Sequence, residues 1–365
     1  MKRILGALFC LLLSISARAQ FVPITDANFV SWLNANGFSS ALSGNLLDTT
    51  NALIRNQQNL TITYSSIQNL NGLQYFKSLA KLSLANNRRL KNVPSSLGNS
   101  FHYLYVYFSD SISLNLSNYP NIDTVKIQLS VISLGPSNFT LSSACNISLG
   151  NAPLLNLKCL FLGGVPLSNS VNLPINITNL SIWNSFVANL NPLPVGIDEL
   201  WLMSCINLAQ ADYSVCTNLQ TLRISSPSQA FPIYNFPSQL KNLELSGFKP
   251  MKIMGSMPPI PNTIVTLTLD NDSLTQLPTI PKSVQGLSIN YNFFTTLPAL
   301  PDSLYSFSCN YNSDTIKNLD LSYLPKLELV GLGNSNLQKS ITLPLDLFRI
   351  WLPNNKIDSV LFNHS

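Results

Sequence analysis

Residues 264–298 read IVTLTLDNDSLTQLPTIPKSVQGLSINYNFFTTLP, and this stretch decides the fold because one pattern occurs in it twice. The first copy, I-x-x-L-x-L-x-x-D-x-L, runs from Ile264 to Leu274, and the second, V-x-x-L-x-I-x-x-N-x-F, runs from Val284 to Phe294. The two copies begin 20 residues apart. Such a short repeat predicts a solenoid, because one copy cannot bury its own apolar side chains and must stack on its neighbours.

The same pattern extends through most of the sequence, with two further clean copies from Leu79 to Leu90 and from Leu347 to Ile357. The second apolar position of each copy serves as a register mark and gives fifteen candidate coils. The marks are Leu60, Leu82, Leu104, Val125, Ile147, Leu160, Leu180, Leu200, Leu222, Leu243, Leu267, Leu287, Phe307, Val330 and Ile350. Most marks are 20 to 24 residues apart, but Ile147 and Leu160 are separated by only 13. Either one of these two marks is wrong or the coil is distorted there, so we expect irregular repeats around 145–250.

Each copy also predicts its own local structure. The x-L-x-L-x segment predicts a short strand of a parallel sheet, with leucines turned inward and x residues facing solvent. The polar residue after the strand, such as Asn292, is expected to turn inward and bind backbone groups of the neighbouring coil. Leu-Pro pairs such as Leu277-Pro278 precede the next strand. They predict extended returns, because proline fixes φ and lacks an N–H.

The repeat resembles the short leucine-rich repeat of bacterial proteins, L-x-x-L-x-V/L-x-x-N-x-L-x-x-L-P, which occurs in secreted and effector proteins of Gram-negative pathogens. The resemblance covers Gln57 to the end and is strongest from Thr263 onward. It implies a leucine-rich-repeat solenoid of the α/β horseshoe class, here mostly β. Its parallel β-sheet would lie on the concave face, its extended, polyproline-like returns on the convex face, and a short helical cap at the N-terminus.

The sequence begins like a secretory leader. Met1-Lys2-Arg3 is basic, Ile4 to Leu13 is apolar, and Ala17-Arg18-Ala19 forms an A-x-A site, so we expect a signal peptide over 1–19 that is cleaved after Ala19. The apolar run is too short to span a bilayer, and no later stretch approaches about 18 uninterrupted apolar residues. We therefore expect no transmembrane segment, and a protein that is secreted or held on the outer cell surface.

Residues 20–56 are expected to form the N-terminal cap, followed by repeats over 57–365. Asp26 to Gly37 predicts a short helix, with an Asp at its start and a Gly at its end.

The opening P-I-T-D-A-N-F-V-x-W-L, followed by G-N-L-L-D-T-T, resembles that of secreted leucine-rich-repeat proteins of the Bacteroidetes. Those proteins usually finish in a C-terminal sorting domain, whereas this sequence stops at Ser365 soon after a repeat. Self-association through an uncapped C-terminal end is therefore one expectation.

The charge balance excludes two classes of partner. Removing Lys2, Arg3 and Arg18 with the leader reduces 21 basic side chains to 18, against 16 acidic ones. This balance predicts no basic stripe for nucleic acid and no strong attraction to an anionic membrane.

The chain contains few groups for catalysis. His102 and His364 are its only histidines, and no C-x-x-C, H-E-x-x-H or phosphate-loop motif occurs. We expect no enzyme activity, no metal and no cofactor. A carboxylate pair for glycan cleavage stays the remote enzymatic alternative, because its spacing is set only in three dimensions.

The cysteines are expected to be mostly isolated thiols. Five in the mature chain are too few for a disulfide scaffold. Cys205 takes the position of the repeat's asparagine and Cys309 an inward leucine position, while Cys159 falls on an outward position with no evident role. A bridge between Cys205 and Cys216 is the alternative.

Large side chains at outward positions form the candidate binding sites, since ligands of solenoids generally bind the exposed sheet face. The first group is Tyr103, Tyr105 and Tyr107 with the adjacent Phe108; the second is Phe161, Trp183, Trp201 and Met203; a lesser group is Tyr291, Tyr305 and Tyr311. The competing interpretation is scattered surface aromatics combined with register error. The sequence thus predicts a recognition module for a protein or glycan ligand, with a structural or adhesion component of the cell surface or matrix as the alternative.

Overall fold

The computed structural model describes residues 20–129, 131–133, 139–141, 146–149, 154–165, 173–185, 190, 192–205, 212–225, 235–247, 258–312 and 316–363. The chain divides into two compact units. Unit 1 comprises Met1–Ser133 and Thr140–Leu157, and unit 2 comprises Leu134–Phe139 and Lys158–Ser365. The predicted leader, with its cleavage site at Ala19, lies outside the described residues.

Short strands dominate the first part of the chain. The elements are β1 (Phe21–Pro23), α1 (Ala27–Ala35), β2 (Leu42–Ser43), β3 (Leu46–Asp48), α2 (Ala52–Arg55), β4 (Asn59–Thr63), β5 (Lys81–Ala85), β6 (Tyr103–Tyr107), β7 (Ser113–Asn115), β8 (Thr124–Gln128), β9 (Val131–Ser133), β10 (Phe139–Leu141) and β11 (Asn146–Ser148). Single 3-10 turns occur at Ser39–Ala41, Leu73–Tyr75 and Leu116–Asn118. In unit 1, β4, β5, β6 and β8 pair in parallel and in register.

The described residues of unit 2 form strands and one 3-10 turn, Tyr213–Val215. Its strands are β12 (Cys159–Gly163), β13 (Asn179–Trp183), β14 (Glu199–Met203), β15 (Thr221–Ser225), β16 (Asn242–Ser246), β17 (Thr266–Asp270), β18 (Gly286–Ser288), β19 (Ser306–Ser308), β20 (Lys317–Asp320), β21 (Leu329–Gly331), β22 (Gln338–Pro344), β23 (Arg349–Trp351) and β24 (Lys356–Asn363). β12 to β19, then β21 and β23, pair in parallel in that order. The chain therefore has the predicted leucine-rich-repeat fold.

Fourteen of the fifteen register marks face one another across these parallel pairs, from Leu60 to Val125 in unit 1 and from Leu160 to Ile350 in unit 2. Ile147 is the exception, and its assignment is wrong. It lies in β11 and pairs with Leu114 of β7, in a separate two-stranded sheet. Leu114 comes ten residues after the mark Leu104, so β7 is a later segment of that coil than its main strand. Because Ile147 pairs with Leu114, it lies in the corresponding later segment of its own coil and not in a main strand.

The core consists of the inward side chains of successive coils. In β17, for example, Leu267 and Leu269 are fully buried. The residues that alternate with them, Thr266, Thr268 and Asp270, are partly or fully exposed. Each fully buried leucine contributes about 1.5 to 3 kcal/mol, but only when the next coil covers it. Stability therefore comes from the stacking of coils.

A ladder of inward polar side chains satisfies the buried backbone where each strand ends. Asn292 is 1% exposed, and its Oδ1 accepts hydrogen bonds from the N–H groups of Asp272 (3.1 Å) and Leu274 (3.0 Å) in the preceding coil. Its Nδ2 donates to the carbonyl of Leu269 at 2.8 Å. Asn355 repeats this arrangement with the N–H groups of Ser335 and Leu337, and Asn87 does so with Ser65. The predicted role of the repeat's asparagine is confirmed.

Hydroxyl groups form a second ladder, just before the strands, that the sequence reading missed. Thr263 Oγ1 donates to the carbonyl of Leu240 at 2.8 Å, Ser283 Oγ to that of Ile264 at 2.7 Å, and Ser303 Oγ to that of Val284 at 2.7 Å. Each of these residues lies inside a tight turn closed by a proline carbonyl, as in Val284 N–H to Pro281 O at 3.1 Å. The returns before these turns are neither helix nor strand at 277–281 and 297–301, as expected from their prolines.

The N-terminal helix α1 is joined to the first coil through one carboxylate. Asp26 caps the helix, its Oδ1 accepting from the N–H groups of Asn28 (2.9 Å) and Phe29 (3.1 Å). Its Oδ2 accepts from the N–H groups of Gln68 (2.7 Å) and Asn69 (2.9 Å). Phe29 and Leu33 are fully buried, so the short helical cap predicted from the sequence is present.

The other end of the described chain carries a second parallel sheet, in the order β20-β22-β24. Several large apolar side chains of the last coil are exposed: Phe348 by 74%, Trp351 by 62%, Leu361 by 50% and Phe362 by 49%. Within the described residues, no helix is long and apolar enough to cross a membrane.

Replacing Leu267 by alanine should lower the free energy of unfolding by about 2 to 5 kcal/mol, because the cavity left in the stack cannot collapse completely. The matched control is Thr268→Ala, one residue along the strand on the opposite face, which should change it by less than about 0.5 kcal/mol. Urea denaturation followed by circular dichroism measures both. Equal losses for the two variants would contradict the assigned register.

Asn292→Ala should cost about 1 to 3 kcal/mol, because the N–H groups of Asp272 and Leu274 would stay buried without a partner. Asn290→Ala, two residues earlier on the outward face, is the control. Water can replace its hydrogen bonds, so we expect a loss below about 1 kcal/mol. If the Asn290 variant loses more free energy of unfolding than the Asn292 variant in the same experiment, the inward ladder is not the one that stabilises the fold more.

Candidate binding surfaces

Three tyrosines project from one strand of unit 1, and we call Tyr103, Tyr105 and Tyr107 the tyrosine row. They alternate along β6 with the buried Leu104 and Val106 and are themselves half-buried. The rings of Tyr105 and Tyr107 stack with centroids 6.0 Å apart at 15°. Burial, and then the nearby Tyr107 and Tyr103, raise the pKa of Tyr105 above its usual value. The structure thus brings the predicted tyrosines together on the outward face.

The tyrosine row has small side chains beside it on β5 and one lysine on each of the two neighbouring strands. Ser83 and Ala85 of β5 lie opposite Tyr105 and Tyr107. Lys81 lies opposite Tyr103, with its Nζ 5.9 Å from the ring centroid, and Lys126 of β8 lies opposite Tyr105. Tyr105 and Tyr107 therefore face only small outward side chains on β5, and two lysines flank the row.

A left-handed backbone conformation recurs directly after the strands, four residues beyond the register mark. It occurs in twelve coils with φ between 45° and 77°. The residues are Tyr64, Asn86, Phe108, Gly164, Asn184, Ser204, Gly247, Asn271, Tyr291, Tyr311, Asn334 and Asn354. Glycine and asparagine tolerate this conformation, whereas a bulky side chain costs about 1 to 3 kcal/mol. The needs of the turn therefore do not explain the aromatic residues at this position.

Phe108 and the pair Tyr291 and Tyr311 show where such aromatics lie. The Phe108 ring packs against Tyr107 with centroids 4.0 Å apart, so it supports the end of the tyrosine row. Tyr291 and Tyr311 stack at 4.6 Å and 3°, and about half of each side chain is exposed. Tyr305, which precedes β19 while Tyr311 follows it, lies at the opposite end of that strand and hydrogen-bonds to Glu328, so it does not join the pair.

The second predicted group lies on three adjacent strands of unit 2, and we call Phe161, Trp183, Trp201 and Met203 the tryptophan patch. Phe161 meets Trp183 edge to face with centroids 4.3 Å apart, and Trp183 lies opposite Met203 in the register. Phe161 and Trp201 both face the small Ser181 of the strand between them. Neither indole N–H has a hydrogen-bond acceptor among the described residues.

Two charged residues extend the tryptophan patch, and the sequence reading did not select them. The guanidinium carbon of Arg223 lies 4.4 Å from the centroid of the Trp201 ring, and its Nε lies 3.7 Å from Glu244 Oε2. Trp201, Arg223 and Glu244 are register partners, since they occupy the same outward position in the adjacent strands β14, β15 and β16. That register would have revealed them, had charged as well as aromatic outward residues been compared. Arg223 covers one face of Trp201 and restricts its orientation.

Farther along unit 2, the outward face is flat and its polar groups bind one another. Ser288 Oγ donates to Asp270 Oδ1 at 2.9 Å, and the Asn290 N–H donates to the same oxygen at 2.7 Å. Ser308 Oγ and the Asn310 N–H donate to Asn290 Oδ1 at 2.8 and 2.7 Å. This outer ladder uses most of its donors and acceptors internally, so it favours rigidity over binding.

The structure gathers few groups for catalysis. His102, directly before β6, lies 3.2 Å from Asp123 Oδ2, and both side chains are more than one third exposed. His364 lies outside the described residues. Among the described residues, no group of three His, Cys, Asp or Glu side chains is placed to hold a metal ion. A cleft of about 360 Å³, lined in part by Leu297, Pro298 and Tyr323, lies between a return and β20, and none of the candidate aromatic residues lines it.

The described cysteines form no disulfide with one another, so the alternative Cys205–Cys216 bridge is wrong. Cys205 and Cys309 are buried at the predicted inward positions, and burial raises the pKa of each thiol to about 12. The Cys205 thiol points to the carbonyl of Ile182 at 3.4 Å, the direction an asparagine amide takes in other coils. Cys159 is half-exposed, with its sulfur 3.9 Å from Asn179 Oδ1.

Comparisons with known proteins agree with this architecture. No protein-family model and no curated protein sequence matches the chain. An internalin of Listeria monocytogenes is structurally similar, with a TM-score of 0.55 at 16% identity, covering 93% of this chain and 94% of its own. A leucine-rich-repeat protein of Leptospira interrogans has a TM-score of 0.53 at 17% identity, covering 84% of this chain and 86% of its own. At these identities the likeness is one of fold, and the fold is that of bacterial leucine-rich-repeat proteins.

Proposed function

We propose that this protein is a secreted or cell-surface recognition module that binds a protein or glycan ligand through the outward, concave face of its sheet. The observation that carries the proposal is the tryptophan patch, where four large side chains from three successive coils lie together on a face that the fold does not need for its core. Clustered, partly exposed aromatic residues on a rigid scaffold favour binding.

The neighbourhood of Trp201 supports this proposal further. A stacked guanidinium, itself held by Glu244, fixes the indole before a ligand arrives and so reduces the entropy lost on binding. Ser181 leaves space between Phe161 and Trp201 at the level of the sheet. An aromatic or sugar ring of a ligand fits the chemistry of such a space.

Export and domain organisation belong to the same proposal. The leader over 1–19, the cap over 20–56 and the repeats over 57–365 would make the mature protein begin at Gln20, outside the cell. The resemblance to secreted Bacteroidetes proteins supports this arrangement. We propose no catalytic role, no cofactor and no nucleic-acid partner, because the sequence lacks the motifs and the basic stripe that those functions require.

Trp201→Ala should weaken ligand binding at least about tenfold, because a hot-spot tryptophan contributes about 2 kcal/mol or more. A glycan microarray and a panel of purified surface proteins serve as probes, and affinities are then measured by biolayer interferometry. Trp351→Ala is the matched control, since Trp351 occupies the same outward position seven strands further along the register of unit 2 than Trp201 and is 62% exposed. Unfolding midpoints of both variants should stay near that of the wild type. Unchanged binding by Trp201→Ala would remove the tryptophan patch from the proposal.

A structural or adhesive role is the second candidate function, favoured by the exposed side chains of the last coil. Leu361 and Phe362 project from β24, which pairs with β22 along one edge. A strand edge with exposed apolar residues is a template for pairing with another chain.

Light scattering on the full chain tests this second function. We expect a concentration-dependent dimer or larger oligomer that the double variant Leu361→Lys/Phe362→Lys abolishes, because two charges oppose edge pairing. Leu155→Lys, at an exposed leucine of unit 1, is the control and should leave the oligomer unchanged. A wild-type protein that stays monomeric up to high concentration would exclude self-association.

A further inference from the structure

The tyrosine row of unit 1 differs from the rest of the outward surface in its charge. From residue 20 onward, unit 1 contains seven basic side chains and four acidic ones, whereas unit 2 contains eleven and twelve. The small positive excess of the mature chain therefore resides wholly in unit 1. The twelve outward positions of β4, β5, β6 and β8 include two charged residues, and both are lysines, Lys81 and Lys126.

Among the described residues, no carboxylate forms an ion pair with either of these lysines. The nearest acidic residue in the sequence is Asp123, just before β8, and it is occupied by His102 at 3.2 Å and by the hydroxyl of Thr124 at 2.7 Å. Lys81 and Lys126 are exposed and lie on opposite sides of β6, facing Tyr103 and Tyr105. An anion placed over the row would thus meet two cations that are not already engaged in ion pairs within the described residues.

The rings of the row are held in place before any ligand arrives. Tyr105 stacks on Tyr107, and Tyr107 is supported by Phe108, which occupies the left-handed turn position where the preceding coil has Asn86. On the side of β5, the outward residues are the small Ser83 and Ala85. The rings of Tyr105 and Tyr107 therefore stand beside outward side chains that carry only a hydroxyl and a methyl group.

From this arrangement we infer that the tyrosine row with Lys81 and Lys126 binds an acidic polysaccharide, a polymer of uronic acids. The inference deepens the proposed recognition function and rests on it. A pyranose ring has a C–H face that stacks on a tyrosine and a rim of hydroxyl groups that can bind the phenol groups and the Ser83 hydroxyl. Its carboxylate would receive hydrogen bonds from a lysine on either side of the row. A protein ligand is less favoured, because the outward positions of the four strands carry no large aliphatic side chain that would bury an apolar anchor of a partner.

Titration of the full chain with polygalacturonate, and with the same polymer after methyl esterification, tests the inference by isothermal calorimetry. The wild type should bind the acidic polymer at least about tenfold more tightly than the ester, since a charge-assisted hydrogen bond is replaced by a neutral contact. Tyr105→Ala should weaken binding to both polymers. The double variant Lys81→Gln/Lys126→Gln should bind the acidic polymer about as weakly as the ester. Its matched control, Lys77→Gln/Lys91→Gln, removes the same charge from unit 1 outside the four strands and should change the affinity less than about twofold.

Three results would overturn the inference. They are equal affinity for the two polymers, an equal loss in the control double variant, and binding of polyglutamate as tight as that of polygalacturonate. The last result would assign the row to an acidic protein instead. Failure of this inference is distinguishable from failure of the proposed function, because a ligand whose binding depends on Trp201 but not on Tyr105 would leave the recognition module intact.

Discussion

The structure depends on one hydrogen-bonding constraint, which arises where each strand ends inside the stack. The chain must turn there while its N–H groups are shielded from water, and a buried N–H without an acceptor costs more than most side-chain contacts return. Asn292 meets this demand with one amide that accepts from two N–H groups of the preceding coil. Because the amide reaches exactly one coil back, it also sets the register between strands. The alternation of inward and outward residues, and hence every surface described above, follows from that register.

The outward face can vary because the inward one is so constrained. Ladders of asparagine, serine and threonine hold the strand ends, and leucines fill the space between coils, so outward positions contribute little to folding. The protein uses this freedom differently in its two units. Unit 1 presents tyrosines between lysines, unit 2 presents tryptophans beside an arginine–glutamate pair, and later coils of unit 2 carry a flat, self-bonded polar surface. Different outward chemistry on one scaffold suits a protein that makes more than one kind of contact.

Periodicity alone predicted the fold, the strand register and the inward polar position, because the leucine spacing reflects a contact repeated in every coil. It failed at Ile147, where an apolar residue at nearly the right distance belongs to another sheet, because spacing does not state which segment of a coil a residue occupies. The aromatic groups were found because outward residues can be read from the register. The contact of Arg223 with Trp201 was missed although the register places the two residues side by side, since charged outward residues were not taken as candidates. The recurrent left-handed residue was missed because asparagine, tyrosine, phenylalanine and glycine all occur there.

That left-handed position links recognition to thermal resistance. Exchanging Tyr291 or Tyr311 for the asparagine that other coils carry would relieve backbone strain while removing an exposed ring. Selection for stability alone would therefore tend to replace these aromatic residues by asparagine. Consensus design of the repeat would replace them in the same way. A version of this solenoid with asparagine at every such position would be expected to melt at a higher temperature and to present less aromatic surface. The irregularities of such a chain are accordingly the first places to search for its ligands.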